Sequence, residues 1–179
     1  MVKFSLRFPR NDIPFWAKRY IENARNEDWK RESKVLNEVT PRIHALGYLT
    51  KSDFLDICLW KSPRPMKYYK DNSRAFIEDV TRIAFSTTND RLRMEILTLL
   101  HGIGWPVASA ILHVGHRDPY PILDWRALWS LGVGVPAKYD FRFWQSYTEY
   151  CRQLAKQCGA RMRDLDRALW QYSKENQGG

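Results

Sequence analysis

Cysteine is scarce in this sequence, with three among 179 residues. Cys58, Cys151 and Cys158 are odd in number and widely spaced, which excludes the disulfide framework of a small secreted domain. Long apolar runs are also lacking, because no stretch approaches the roughly 20 apolar residues of a membrane helix. The N-terminal residues show no apolar signal segment. We therefore expect a cytoplasmic protein that makes no membrane contact.

Strand-like alternation is almost absent and is found only over residues 3–8. Helical periodicity dominates elsewhere, with Leu92 and Leu99 expected among the inward-facing residues. The sequence therefore predicts an all-α fold and a single domain over residues 1–179. The predicted helices cover residues 33–46, 52–62, 73–85, 90–100, 106–113, 124–131, 141–157 and 161–173.

Local signals predict where several of these helices begin and end. Gly47 is suited to end the first helix, and Ser52 is suited to cap the second. Asn89 or Asp90 is expected to cap the helix that follows residue 90. Pro106 fits the first turn of a helix, where its missing N–H leaves no hydrogen bond unmade.

Ligand spacings for transition metals are missing as well. His101, His113 and His116 do not combine with a fourth ligand at a zinc-like interval. Cys151 and Cys158 lie on the apolar face of a predicted helix and are interpreted as core residues. No cofactor is required by any of these patterns.

Basic residues are abundant, and the formal net charge is +9. This surplus favours a polyanionic partner. Residues 61–74, KSPRPMKYYKDNSR, interleave basic groups with aromatic rings, which suits contact with phosphates and stacking on a base. The alternative is a solvated loop whose prolines end a helix. The candidate DNA contacts in this segment are Lys61, Ser62, Arg64 and Lys67.

A glycine hairpin joins two apolar helical segments, and the motif extends over about residues 90–131. Gly102 and Gly104 permit a tight turn with positive φ angles, and they leave room for a DNA backbone. The N–H groups from Gly104 to Val107 lie at the positive end of the next helix, where a phosphate can bind. The candidate DNA contacts are Gly102, Ile103, Gly104, Trp105 and Val107. Taken alone, such a turn is typical of ordinary helical proteins.

An acid follows the second helical segment in the run Pro121-Ile122-Leu123-Asp124. A carboxylate at Asp124 is suited to activating a water molecule next to bound DNA. The alternative is that Asp124 is simply the N-cap of the helix that begins at Trp125. The two roles are compatible, since a cap would hold the carboxylate in place.

The run from the hairpin to Asp124 resembles the helix-hairpin-helix superfamily of DNA glycosylases, in particular its adenine-excising and oxidised-purine-excising branches. The resemblance implies two small helical lobes around a DNA-binding cleft. It also implies a catalytic Asp124 that stabilises positive charge on the sugar and orients or deprotonates the attacking water. Because Cys151 and Cys158 are too few to hold an iron–sulfur cluster, the resemblance is to a small bacterial branch that lacks one.

The resemblance has further implications. Pro106 stands where lyase members carry their lysine nucleophile, which indicates a monofunctional enzyme that leaves an abasic site. A monovalent cation, K⁺ or Na⁺, would bind to the backbone carbonyls of Thr98, Leu100 and Ile103. Residues 60–64 replace the Gln-rich loop of the family, so base specificity does not transfer from the adenine-excising branch.

The expected partner is double-stranded DNA, bound by a monomer. Trp60, Trp105 and Trp125 are candidates for the flat walls of a pocket for a flipped base. The base would be either a damaged one, which implies DNA repair, or a hydroxymethylated or glucosylated cytosine of phage DNA, which implies antiviral defence. The alternatives are a non-catalytic helix-hairpin-helix DNA-binding module and an RNA- or protein-interaction domain.

Overall fold

The computed structural model describes residues 2–178 and is all-α over that range. Within it the chain forms eleven α-helices, a 3-10 turn at Arg10–Asp12 and a π-helical turn at Val35–Val39. Two compact units are present: a terminal unit of residues 2–24 and 119–178, and a central unit of residues 25–118. The single-domain assignment stays a prediction. None of the helices in the described range has both the length and the apolar composition needed to cross a bilayer.

The central unit contains seven of the α-helices, and the first two are joined without a break by the π-helical turn. Side-chain caps begin three of the others: Thr50 accepts from the Asp53 N–H, Ser73 from Phe76 and Asn89 from Leu92. Gly47 ends a helix with a φ of +78°, as predicted. The helices are α2 (Asn26–Lys34), α3 (Thr40–Leu46), α4 (Lys51–Lys61), α5 (Met66–Lys70), α6 (Arg74–Ser86), α7 (Asp90–Leu97) and α8 (Trp105–Gly115).

Two local predictions about helices in this unit, the cap of α4 and the buried face of α7, are wrong. The cap of α4 is Thr50 and not Ser52, because the chain turns into the helix two residues earlier than the apolar pattern indicates. Leu92 and Leu99 are 46% and 63% exposed. The buried face of α7 instead carries Met94 and Leu97. Leu99 lies beyond the end of that helix, in the turn, where helical periodicity no longer determines which residues face inward.

The terminal unit contains the remaining four α-helices. Residues 3–8 form no strand within the described range; they form an irregular segment in which the N–H groups of Ser5 and Arg7 donate to the carbonyls of Leu131 and Ser130, each at 2.9 Å. The helical periodicity of the long helix predicts one apolar stripe of Phe141, Trp144, Tyr147, Cys151 and Leu154; the last four are buried, while Phe141 is partly exposed. The helices are α1 (Ile13–Glu22), α9 (Trp125–Ser130), α10 (Phe141–Cys158) and α11 (Met162–Asn176).

The three cysteines differ in accessibility, which gives a first prediction. Cys58 and Cys151 are 0% exposed, and burial raises the pKa of both thiols. Cys158, expected in the core, is instead partly exposed because it is the last residue of α10. We expect a maleimide to label Cys158 alone in the native protein and all three cysteines in denaturant, as measured by the mass of the intact chain. Native labelling of Cys58 or Cys151 at the rate of Cys158 would contradict this assignment.

Candidate nucleic-acid interface

The hairpin turn of the central unit depends on glycine at one position. Gly102 has a φ of +85°, in the left-handed region that other residues rarely adopt. The turn is closed by the Ile103 N–H, which donates to the Leu100 carbonyl at 3.0 Å. A Cβ atom at Gly102 would also lie 3.0 Å from both Tyr68 Cβ and Tyr69 Cδ1. Both the backbone angle and the close approach of α5 therefore require glycine here.

Gly104, the second glycine of the hairpin, does not have the predicted backbone angle. Its φ is −99°, an angle that any residue adopts, so the predicted positive φ is wrong at this position. The N–H groups of Val107 and Ala108 donate to the Gly104 carbonyl at 3.0 and 2.9 Å, and the Val107 side chain is only 6% exposed. The Val107 N–H is used within the helix and Pro106 has no N–H. The backbone N–H groups just before them, at the start of α8, are those of Gly104 and Trp105. Gly104 is exposed, and an added Cβ would meet only Pro106 Cδ, at 3.8 Å.

Asn72 connects the hairpin to the basic segment. Its side-chain oxygen accepts from the His101 N–H at 2.7 Å, and its amide nitrogen donates back to the His101 carbonyl at 3.0 Å. The same nitrogen donates to the Tyr69 carbonyl at 3.0 Å, and Asn72 is 5% exposed. One buried amide thus holds both backbone groups of His101 against the end of α5.

Exposed cationic and aromatic groups lie next to each other around this turn. The Lys67 ammonium is 4.7 Å from the centroid of the Tyr68 ring, and the Tyr68 and His101 rings are 4.9 Å apart. Asp71 Oδ2 lies 3.5 Å from His101 Nδ1, so one acid borders the group. The structure therefore brings together two segments that the sequence singled out separately. We call this group the hairpin surface: Lys67, Tyr68, His101, Gly102 and Gly104.

The other predicted contacts of the central unit flank this surface along the chain. Lys61 is the last residue of α4 and Ser62 follows it, while Arg64 is exposed. Trp60 and Trp105 are partly buried. Trp125, the third tryptophan of the predicted base pocket, is 48% exposed and belongs to the terminal unit. A pocket formed by the three rings stays a prediction.

The predicted cation would bind to the hairpin backbone. Residues 98–104 follow the last helical residue of α7, and their carbonyls are not all used in a helical ladder. The Leu100 carbonyl accepts from Ile103 and retains a second lone pair, so the turn is compatible with a monovalent cation. Within residues 2–178 no group of three or more His, Cys, Asp or Glu side chains could hold a metal ion.

Asp124 of the terminal unit is the N-cap of α9. Its Oδ1 atom accepts from the Arg126 N–H at 3.0 Å, and its carbonyl accepts from the Leu128 N–H at 2.9 Å. Asp124 is partly exposed, while the preceding Leu123 is fully buried. The capping role that the sequence offered as an alternative is therefore present. The bond to Arg126 fixes the direction of the carboxylate of this partly exposed residue.

Two buried side chains hold the backbone just before this acid. The Tyr147 hydroxyl donates to the Ile122 carbonyl at 2.8 Å, and Asp166 Oδ1 accepts from the Ile122 N–H at 3.1 Å. Both backbone groups of Ile122 are thus paired with side chains of α10 and α11. Because Tyr147 is 0% exposed and Asp166 is 5% exposed, water competes little for these bonds. The loop is fixed two residues before Asp124.

The negative charge of Asp124 acts on two tyrosine hydroxyls. Burial raises the pKa of Tyr147 well above its usual value, and the carboxylates of Asp166 and Asp124 raise it further. Burial also raises the pKa of Tyr139, and the negative charge of Asp124 adds to that effect. Both hydroxyls therefore keep their protons: Tyr147 donates its proton to the Ile122 carbonyl, and Tyr139 can act as a hydrogen-bond donor near Asp124.

Sequence reasoning did not find Asn72, Tyr139, Tyr147 or Asp166 as contributors. Tyr147 was placed on the apolar stripe of α10, and the available signal was its hydroxyl, which needs an acceptor once buried. Asn72 lay inside the basic segment and carried no signal of its own. Its partner His101 is distant in sequence, so only the fold brings the two together.

Comparison of the chain with protein-family models, curated proteins and solved structures found no match. An assignment of function therefore depends on the chemistry of these residues.

The two hairpin glycines provide a matched test of the turn. We expect Gly102→Ala to destabilise the protein by about 1–2 kcal/mol, because the left-handed angle and the contact with Tyr68 are both unfavourable for alanine. Gly104→Ala should leave the free energy of unfolding nearly unchanged. Urea unfolding of both variants measures the difference. Equal effects would contradict the geometry of the turn.

The amide of Asn72 gives a second test of the same turn. Asn72→Asp places a carboxylate oxygen where the amide now donates to the Tyr69 and His101 carbonyls, so a buried and a partly buried acceptor lose their donor. We expect a loss of roughly 1–3 kcal/mol in unfolding free energy, measured by thermal and urea unfolding. Asn37→Asp, an exposed amide of the same unit, adds the same charge and should have little effect. Similar losses in both variants would rule out a specific role for Asn72.

Proposed function

We propose that the chain is a monofunctional DNA glycosylase of the helix-hairpin-helix type. It would flip a nucleotide out of duplex DNA, hydrolyse the bond between base and sugar and leave an abasic site. The observation that carries the proposal is the fixed carboxylate of Asp124, which is directed by its bond to Arg126 and held by the paired backbone of Ile122. A reaction in which positive charge develops on the sugar is accelerated by a carboxylate that is already in position before the charge forms.

The hairpin surface is suited to the DNA backbone. Gly104 and Trp105 offer N–H groups at the start of α8, a helix of 11 residues whose N-terminal dipole favours a phosphate. Lys67 adds a cation beside the Tyr68 ring. The net charge of +9 supports a polyanionic partner in general.

In the proposed reaction, a water oxygen bonds to C1′ of the sugar as the bond from C1′ to the base nitrogen breaks. Asp124 orients the water and receives its proton, and the departing base takes up a proton. A carboxylate accelerates this step because an oxocarbenium-like sugar gains more from a nearby negative charge than the neutral substrate does. Pro106, which has no amine, occupies the hairpin position where a lyase would carry its nucleophile.

A specific observation favours a second candidate, a non-catalytic helix-hairpin-helix DNA-binding module. The Asp124 carboxylate caps α9, and a capping role alone is sufficient to explain an acid at this position. Under that alternative the hairpin surface would bind DNA, and removing the charge of Asp124 would change nothing measurable. The two candidates therefore differ in one experiment.

Asp124→Asn separates charge from capping, because asparagine caps helices as well as aspartate does. We expect the variant to fold and bind DNA normally while excision falls at least about 100-fold. Duplexes with oxidised, alkylated or deaminated bases and DNA with hydroxymethylated or glucosylated cytosine are incubated with each protein. Hot alkali then converts abasic sites to breaks.

Asp140→Asn is the matched control. Asp140 caps α10 of the same unit by accepting from the Phe143 N–H at 2.8 Å, so this variant removes the same charge from another cap. It should excise as well as the unmodified protein. Equal excision by the Asp124→Asn variant, or DNA binding without breaks on any duplex of the panel, would favour the non-catalytic module.

A further inference from the structure

A second group of aromatic rings and cations lies on the terminal unit, on helices α9 and α11. The guanidinium carbon of Arg126 is 4.3 Å from the centroid of the Trp125 ring and 5.3 Å from that of Trp170. The Lys174 ammonium is 5.2 Å from the Trp170 ring. Rings and cations therefore alternate in the order Trp125, Arg126, Trp170, Lys174. We call these four residues the aromatic–cation surface.

The two cations of this surface keep their charge available. Within residues 2–178 neither Arg126 nor Lys174 lies within ion-pair distance of a carboxylate, although the charge of Lys174 acts on the carboxylate of neighbouring Glu175, which is paired with Arg19. By contrast, Arg19 and Arg161 of the same unit lie 2.7 Å from the carboxylates of Glu175 and Asp164. A ring attracts a cation through its quadrupole and does not cancel its charge. The surface therefore presents a positive field next to flat apolar faces.

The Trp125 ring is not part of the core. It is 48% exposed, whereas Ala127 and Leu128 of the same helix are buried. The Arg126 guanidinium stacked on the ring restricts its orientation in advance, which lowers the entropy lost when a ligand binds. An exposed, oriented tryptophan is typical of a surface that stacks on a flat ligand.

Among anionic polymers, an unpaired nucleic-acid strand matches this surface best. Its bases and phosphates alternate as the rings and cations do, and its base faces are open for stacking. In a duplex those faces are covered by neighbouring base pairs, and the acidic side chains of a peptide carry no flat ring for Trp125. We propose that the aromatic–cation surface binds an unpaired DNA strand, with a base stacked on Trp125 and phosphates at Arg126 and Lys174.

This inference deepens the proposed function and rests on it for the identity of the polymer. Trp125, the first residue of the surface, directly follows the candidate catalytic acid Asp124. The backbone N–H of Arg126 donates to the Asp124 carboxylate. A strand bound there would place unpaired nucleotides beside Asp124. The preferred substrates would then be single strands, bubbles and mismatched sites, in which the bases are already unstacked.

The test is a comparison of binding to single-stranded and duplex DNA. Fluorescence anisotropy measures affinity for a labelled oligothymidylate and for a duplex of equal length, with the full chain. Trp125→Ala should weaken binding of the single strand about tenfold, because the variant loses base stacking on one aromatic ring. Affinity for the duplex should fall much less, because most of its bases are stacked inside the helix. Trp125→Phe, which retains a ring, should restore most of the lost affinity.

The cations are tested through the dependence of affinity on salt. For single strands the logarithm of the binding constant falls with a slope of about 0.7 per phosphate contacted, so removing two contacts should lower the slope by about 1.4. The double variant Arg126→Ala/Lys174→Ala should show this decrease. Arg142→Ala/Lys156→Ala removes the same charge from exposed positions of α10 and should keep the original slope.

Circular dichroism first confirms that each variant folds. The inference is overturned if Trp125→Ala binds the single strand as tightly as the unmodified protein, or if both double variants lose the same salt dependence. It is also overturned if polyglutamate competes as well as the oligothymidylate. If the protein excises bases normally and Trp125→Ala leaves single-strand binding unchanged, the proposed role of the aromatic–cation surface is wrong and the glycosylase proposal stands. If the protein binds single strands specifically but excises no base of the panel, the glycosylase proposal is wrong and the aromatic–cation surface belongs to a DNA-binding protein.

Discussion

The hairpin and the loop before Asp124 depend on the same constraint: a buried side chain must form hydrogen bonds with backbone groups that no helix pairs. Asn72 bonds to the N–H and the carbonyl of His101, and Asp166 and Tyr147 do the same for Ile122. A buried backbone group left unpaired costs about 1–3 kcal/mol, so each loop has one favourable conformation. The positions of the hairpin and of Asp124 follow from these bonds.

The same constraint connects stability with chemistry. A carboxylate that stabilises a transient positive charge acts best when it needs no reorganisation during the reaction. Capping of α9 and pairing of Ile122 restrict Asp124 before any substrate is bound. The capping role and the proposed catalytic role are therefore compatible at this residue, because the bond that begins the helix also directs the acid.

Sequence predicted the parts of the structure that depend on neighbouring residues. Periodicity indicated the all-α fold, and the ends at Gly47 and Asn89 followed from known capping chemistry. It placed Leu92 and Leu99 wrongly, since the apolar pattern cannot show where a helix gives way to a turn. It also missed Asn72 and Tyr147, whose partners lie 29 and 25 residues away in the chain. Long-range pairing of polar groups leaves no periodic trace.

The surplus of positive charge has a pattern that a net value does not show. Several arginines are paired with exposed carboxylates, and such pairs contribute little to stability. Arg7 and Arg152 lie over rings but also donate to backbone carbonyls, so their role is structural. Lys67, Arg126 and Lys174 instead rest on exposed or partly exposed rings and keep their charge. Because a ring orients a cation without neutralising it, the same contact that fixes these side chains leaves them able to attract a phosphate.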